Sequence, residues 1–86
     1  MIKYRIIIKE QALKQLSTLP KQYFDKIKLK INSLVDNPYP HDCKKLKYIE
    51  GYRIRVGTYR ILYTIEKEIM IIYIIKIKHR KDVYRE

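Results

Sequence analysis

Apolar residues recur at every second position where the chain begins: Ile2, Tyr4, Ile6 and Ile8 alternate with Lys3, Arg5 and Lys9. A period of two puts the apolar set on one side of a pleated backbone, so a first strand with one buried face is expected. At Glu10 the period lengthens. Ala12, Leu13, Leu16 and Leu19 fall at helical spacing and predict a short amphipathic helix that Pro20 brings to a close. Phe24, Ile27, Ile31 and Leu34 then form one stripe at three- and four-residue steps, with Lys21, Lys26, Lys28 and Lys30 mostly outside it. Asp36-Asn37-Pro38 ends that second helix, and two helices joined this tightly make a helical hairpin.

Pro38 to Lys45 reads as loop, and from Leu46 onward β-branched and aromatic residues replace the helical stripe. Leu46 to Ile49 reads as a short edge strand. Tyr52, Ile54 and Val56 alternate with Arg53 and Arg55; after Gly57-Thr58, Tyr59, Ile61, Tyr63 and Ile65 alternate with Arg60, Leu62 and Thr64. Gly-X is a two-residue hairpin turn. With Gly57 and Thr58 as the loop, Val56 faces Tyr59 and Arg55 faces Arg60, so the apolar faces of the two strands coincide and so do the arginine faces. Ile69 to Ile77 is apolar on both faces over most of its length, as befits the interior of a sheet. The expected fold is α+β, one domain over residues 1–86, with the order β-αα-β-β-β-β. The helical hairpin covers one face of the sheet and leaves the other, with Arg53, Arg55 and Arg60, open.

Composition narrows the function. Eighty-six residues hold a small core and leave no room for a large internal cavity, so any chemistry belongs on a sheet face or in a shallow groove. The single cysteine, Cys43, excludes an intramolecular disulfide framework and a cysteine-rich zinc site. Met1 to Lys9 alternates charge with aliphatic residues, unlike a signal peptide. The apolar run Ile69 to Ile75 falls far short of the roughly 20 residues of a membrane span. These readings point to a soluble cytoplasmic protein without a membrane partner. Lys and Arg number 20 against 9 Asp and Glu, a net charge of +11 that suits a polyanion, nucleic acid foremost, or an acidic protein.

Like charges directly opposite on paired strands oppose folding. Their presence at Arg55 and Arg60, with Arg53 two residues along, is explained by an external anion, since guanidinium forks match phosphate oxygens. Before residue 53 the only arginine is Arg5; lysine does the basic work of the helices. The C-terminal segment adds His79, Arg80, Lys81 and Tyr84. His41-Asp42-Cys43 lies in a Pro-rich loop and reads as a loop cap; no cluster of Asp, Glu and His has metal-ligand spacing, so neither metal nor cofactor is expected. Tyr4, Tyr52, Tyr59, Tyr63 and Tyr73 read as core or cross-strand packing.

The run Gly51-Tyr52-Arg53-Ile54-Arg55-Val56-Gly57-Thr58-Tyr59-Arg60-Ile61-Leu62-Tyr63, followed by His79-Arg80-Lys81-Asp82-Val83-Tyr84, resembles the signature of the RelE/ParE superfamily of bacterial and archaeal toxins. The similarity extends to the opening strand, the helical hairpin with Leu19-Pro20, and Asn37-Pro38. It implies a sheet ordered 1-5-4-3-2. It also implies a RelE-type mRNA interferase of a type II toxin–antitoxin system, cutting messenger RNA in the ribosomal A site and restrained by a RelB-like antitoxin in a hetero-oligomer. By position the catalytic set is Arg53, Arg55, Arg60, Arg80 and Tyr84. The first two positions are lysines in the best-known RelE proteins and arginines here. Arg53, Arg55, His79 and Lys81 are the expected RNA contacts; Tyr84 serves either as a base or as a stacking surface for a message base. Two other readings stay open: a ParE-type inhibitor of DNA gyrase, and a member that binds ribosome or RNA without cutting.

Overall fold

Alternation at the start of the chain produces β1 (Arg5–Ile8) in a computed structural model of the protein, which describes residues 3–79. Helix α1 (Glu10–Ser17) follows at once, with Glu10 in its first turn, where the positive end of the helix dipole favours an acid. Pro20 lies between the helices and explains their tight join. It has no N–H with which to extend α1, and its carbonyl accepts the Tyr23 and Phe24 amides at 3.0 and 2.9 Å, opening α2 (Lys21–Ser33). Ala12 and Leu16 of α1, Ile27 and Ile31 of α2, and Leu34 just after it are buried, whereas Leu13, expected in the stripe, is 53% exposed. No helix among the described residues is long and apolar enough to cross a membrane.

The remaining strands are β2 (Lys44–Lys45), β3 (Tyr52–Val56), β4 (Tyr59–Glu66) and β5 (Ile71–His79). The sheet runs β1-β5-β4-β3-β2, with β1 parallel to β5 and every other pair antiparallel. The expected α+β architecture is therefore the one observed: two helices on one face of a five-stranded sheet. Gly57, with φ of 59°, opens the β3–β4 turn, and Val56 pairs with Tyr59 and Arg55 with Arg60 as the parity requires.

Two boundaries differ from expectation. The edge strand is Lys44–Lys45 instead of Leu46 to Ile49, because the Leu46 amide bonds the Gly51 carbonyl at 3.0 Å and closes residues 46–51 into a loop. The last strand starts at Ile71 instead of Ile69, since residues 67–70 form a turn closed by the Met70 amide on the Lys67 carbonyl. Inside β5 lies a feature that the apolar run conceals. Leu62 pairs with Lys76 and Tyr63 with Ile74, so Ile75 is an extra residue, a β-bulge. The bulge resets the parity of β5. Ile77, Ile74 and Ile72 thereby all reach the helical layer, opposite Ile61, Tyr63 and Ile65.

Strand β1 pairs only as far as Ile8 with Ile74, which leaves the second half of β5 without a neighbouring strand on that side. Gln15 of α1 fills part of the gap, its Oε1 accepting the Ile77 amide at 2.8 Å. A second polar tie sits deeper. Tyr63 is fully buried and donates its phenol to the Pro38 carbonyl at 2.9 Å, fastening the loop after α2 to the middle of the sheet. Its ring leads on to Tyr52 and then Tyr39, with centroids 5.9 and 5.4 Å apart. Tyr4, Tyr52 and Tyr59 also pack against the core, as expected, but Tyr73 sits on the open face, with the Lys9 ammonium 4.9 Å from its ring centroid.

Burial pushes the Tyr63 phenol far above its ordinary value of 10.0, so ionisation opposes folding. A raised value means that the contribution is complete below about pH 10, the unfolded value, and is lost as pH rises beyond it. Tyr63→Phe leaves the Pro38 carbonyl unpaired and is expected to lower stability by about 1 kcal/mol at pH 8. In urea titrations between pH 8 and 11 the gap between wild type and Tyr63→Phe should shrink above pH 10; a constant gap would mean that the phenol ionises freely in the folded protein.

Candidate functional site

The register of four strands turns the open face into two rungs. One rung runs Lys44, Arg53, Leu62, Lys76 across β2, β3, β4 and β5; the next runs Arg55, Arg60, Lys78 across β3, β4 and β5. Directly opposed residues on neighbouring strands have Cβ atoms about 5 Å apart. Like charges placed that way disfavour the pairing by about 0.2–1 kcal/mol. Six cations therefore share two adjacent rungs on the open face. A phosphate chain lying across the rungs converts that repulsion into attraction. Arg55 is exposed, and Arg53 and Arg60 are half-buried.

Lys44, Lys76 and Lys78 were not singled out from the sequence. For the last two the signal was present: Lys76 and Lys78 flank the inward Ile77, and antiparallel pairing with Arg60 puts them on the arginine face. Lys44 falls in what reads as loop, and only its pairing with Arg53 reveals it. Among the described residues, four lysines outside the rungs form ion pairs. Lys3 pairs with Asp36, Lys14 with Glu10, Lys21 with Asp25 and Lys30 with Asp42. Lys3, Lys14 and Lys21 are exposed in these pairs, whereas Lys30 is half-buried.

His79 ends β5 opposite Tyr59 and so belongs to the helical side of the sheet, at its rim. Its ring meets Tyr59 edge-on at 5.1 Å, and Tyr59 in turn meets Tyr23 of α2 at 5.2 Å. Thr58 Oγ1 lies 3.4 Å from His79 Nε2, which ties the last residue of β5 to the hairpin turn. The imidazole thus stands beside the turn that carries Arg55 and Arg60, on the opposite side of the sheet from their guanidinium groups. Arg80, Lys81 and Tyr84 lie outside the described residues. Asp42 of the His41-Asp42-Cys43 loop is held below the ordinary carboxylate range by the Lys30 ammonium, 2.9 Å away. Cys43 packs half-buried against the core. Among the described residues no three His, Cys, Asp or Glu side chains gather as a metal would require.

A family model described as the ParE toxin of the type II toxin–antitoxin system parDE matches residues 6–84. A Methanocaldococcus jannaschii protein bearing the toxin name RelE1 is 33% identical over 88 residues, which cover 98% of each chain. Among solved structures, a chain of the archaeal RelE–RelB complex from Pyrococcus horikoshii OT3 superposes with a TM-score of 0.82 at 32% identity, over 93% of this chain and 97% of that one. A chain of the Mycobacterium tuberculosis RelBE2 toxin–antitoxin complex does so with a TM-score of 0.81 at 26% identity, over 92% and 100%.

If the rungs exist for a ligand, relieving them should stabilise the free protein. Arg55→Thr removes one member of the Arg55–Arg60 pair and keeps a good strand residue, so the free protein is expected to gain about 0.2–1 kcal/mol at low salt. Raising salt to about 1 M shortens the screening length to about 3 Å and should erase most of the gain. Thermal melts of both proteins at the two salt concentrations check this, and a variant that loses stability at low salt would show that Arg55 serves the fold.

Proposed function

The chain belongs to the RelE/ParE superfamily of type II toxin–antitoxin toxins, and we propose that it works as a RelE-type endoribonuclease, cutting messenger RNA in the ribosomal A site. The observation that carries this reading is the pair of cationic rungs on the open sheet face. Guanidinium groups opposed across paired strands match the phosphates of a nucleic-acid backbone in bidentate geometry.

The chemistry follows from what guanidinium groups can and cannot do. Cleavage by the neighbouring 2′-hydroxyl requires in-line attack on phosphorus, stabilisation of the extra charge on the phosphorane oxygens, and a proton for the departing 5′-oxygen. Arg55 and Arg60, opposed across the hairpin, supply the charge stabilisation, with Arg80 as the third member expected from the sequence. Arg53 and Lys44, one rung away, hold the adjacent backbone. Guanidinium stays protonated to above about pH 12, so these groups are poor proton carriers. Tyr84 is the expected partner of the reacting message, as a base or as a stacking surface. Such a site stabilises charge well and moves protons badly. The ribosome then supplies what is missing by holding the message close to in-line geometry, which alone is worth several kcal/mol. The reading places the protein in the cytoplasm and requires no metal or cofactor, because the arginines do the work of charge neutralisation.

Solved relatives are complexes of RelE with RelB, which supports a RelB-like antitoxin here. An acidic segment that folds on binding would neutralise the rungs and hold the toxin inactive. A ParE-type action on DNA gyrase is the second reading, favoured by the description of the matching family model.

A translation extract programmed with a defined message, read by primer extension, separates the two. Discrete cuts within codons that need ribosomes are expected, and Arg60→Ala, Arg80→Ala and Tyr84→Phe should each slow them by about 100-fold or more. Intact message together with inhibited supercoiling by gyrase would assign the ParE-type action; intact message with translation stopped would mean a ribosome binder that does not cut.

A further inference from the structure

Beside the rungs the open face sinks into a groove of about 660 Å³ whose floor is apolar. Leu62 and Ile75 line it from β4 and β5, and the loop of residues 46–51 lines the other side with Tyr48 and Ile49. The contrast in exposure is informative: Leu62 is 3% exposed although it lies on the open face, while Tyr48 is 84% exposed and Ile49 59%. Large apolar side chains held out in solvent beside a lysine rim are an unusual surface for a chain of net charge +11. The loop that presents them is fastened at its base. The Leu46 amide bonds the Gly51 carbonyl, and Gly51, with φ of 139°, lies so close to β4 that a Cβ would come within 2.9 Å of the Tyr63 carbonyl oxygen. Any side chain at position 51 would therefore push the loop away from the sheet.

Apolar floor, exposed phenol and cationic rim match the two halves of a nucleotide, base and phosphate. Lys44, Lys76 and Lys78 stand at the rim of the groove and also in the rungs, so a phosphate chain following the rungs runs past its mouth. Resting on the RNA-cleaving reading above, we infer that this groove seats a nucleobase of the bound RNA, with Tyr48 as its stacking platform and a determinant of which sequences are taken. Aromatic platforms next to a basic track are the general solution for single-stranded nucleic acid. Ile75 can line the groove only because the bulge takes it out of the regular alternation.

The test uses the full-length protein and a labelled single-stranded RNA hexamer, compared by fluorescence anisotropy with the same hexamer carrying two central abasic sites. Phosphate contacts are equal in the two, so the difference reports the base. Wild type is expected to favour the base-bearing hexamer by about 5- to 100-fold. Tyr48→Ala should abolish the preference, Tyr48→Phe should keep it, and neither should change the slope of affinity against salt. Arg55→Ala should reduce that slope by about 0.7 and leave the base preference intact. Equal affinity of wild type for both hexamers, or a preference that survives Tyr48→Ala, overturns the inference. The extract assay keeps the two claims apart. A message cut by wild type and Tyr48→Ala at the same sites and rates removes the platform alone; a base preference that depends on Tyr48, found with a message left uncut, supports the platform and removes only the nuclease.

Discussion

A two-residue turn governs the open face. Gly57, in a backbone conformation that residues with a Cβ adopt reluctantly, sends β4 back along β3 with no residue to spare, and every cross-strand pair from Val56–Tyr59 outward follows from it. One more residue in that turn would slide β4 by one position. Ile61 and Tyr63 would then leave the core, and Arg60 would move to the helical side. The same register that buries the core therefore assembles Arg55 and Arg60 into a rung. The chain cannot relieve the repulsion between them by shifting the strand without giving up its hydrophobic layer.

The bulge at Ile75 does for β5 what the turn does for β4. Without it, a strict alternation that places Lys76 and Lys78 on the open face would also place Ile74 and Ile72 there, and the core would lose two of its buried residues. With one extra residue, the cationic half and the apolar half of the strand each face the right way. The bulge has a second consequence at the groove, which the half-buried Ile75 lines beside the nearly buried Leu62. Gln15 deals with a related difficulty at the other edge. Where β1 stops, a helix side chain takes over a backbone amide that would otherwise lack a strand partner.

Stability and function pull in different directions across the two faces. The helical side carries the buried aliphatics, the Tyr63 tie to Pro38 and lysines placed in local ion pairs. The open side carries opposed cations and exposed apolar side chains, a surface that suits RNA or an acidic partner. A chain this small has little stability in reserve, so a partner that neutralises the open face should also hold the fold together.

Much of this was legible in the residues themselves. Period-two and period-four spacing marked β1, both helices, β3 and β4, and the parity around Gly57-Thr58 placed Arg55 opposite Arg60, because one buried face allows a single register. The family signature supplied the strand order, which local spacing does not contain. Three things were decided only by tertiary structure. The apolar run Ile71–Ile75 of β5 has no charged residue to mark its faces, so the bulge that separates it from the alternating Lys76-Ile77-Lys78 could not be read from the spacing. The edge strand fell on Lys44–Lys45 because the Leu46 amide found a nearer acceptor at Gly51, a choice made by loop closure rather than by β-propensity. His79 faces the helices because strand β5 reaches that far with its parity already set by Ile77, so a residue adjacent in sequence to Arg80 stands behind the cationic face instead of on it. Spacing determines which residues share a face; only pairing between distant segments determines which faces meet.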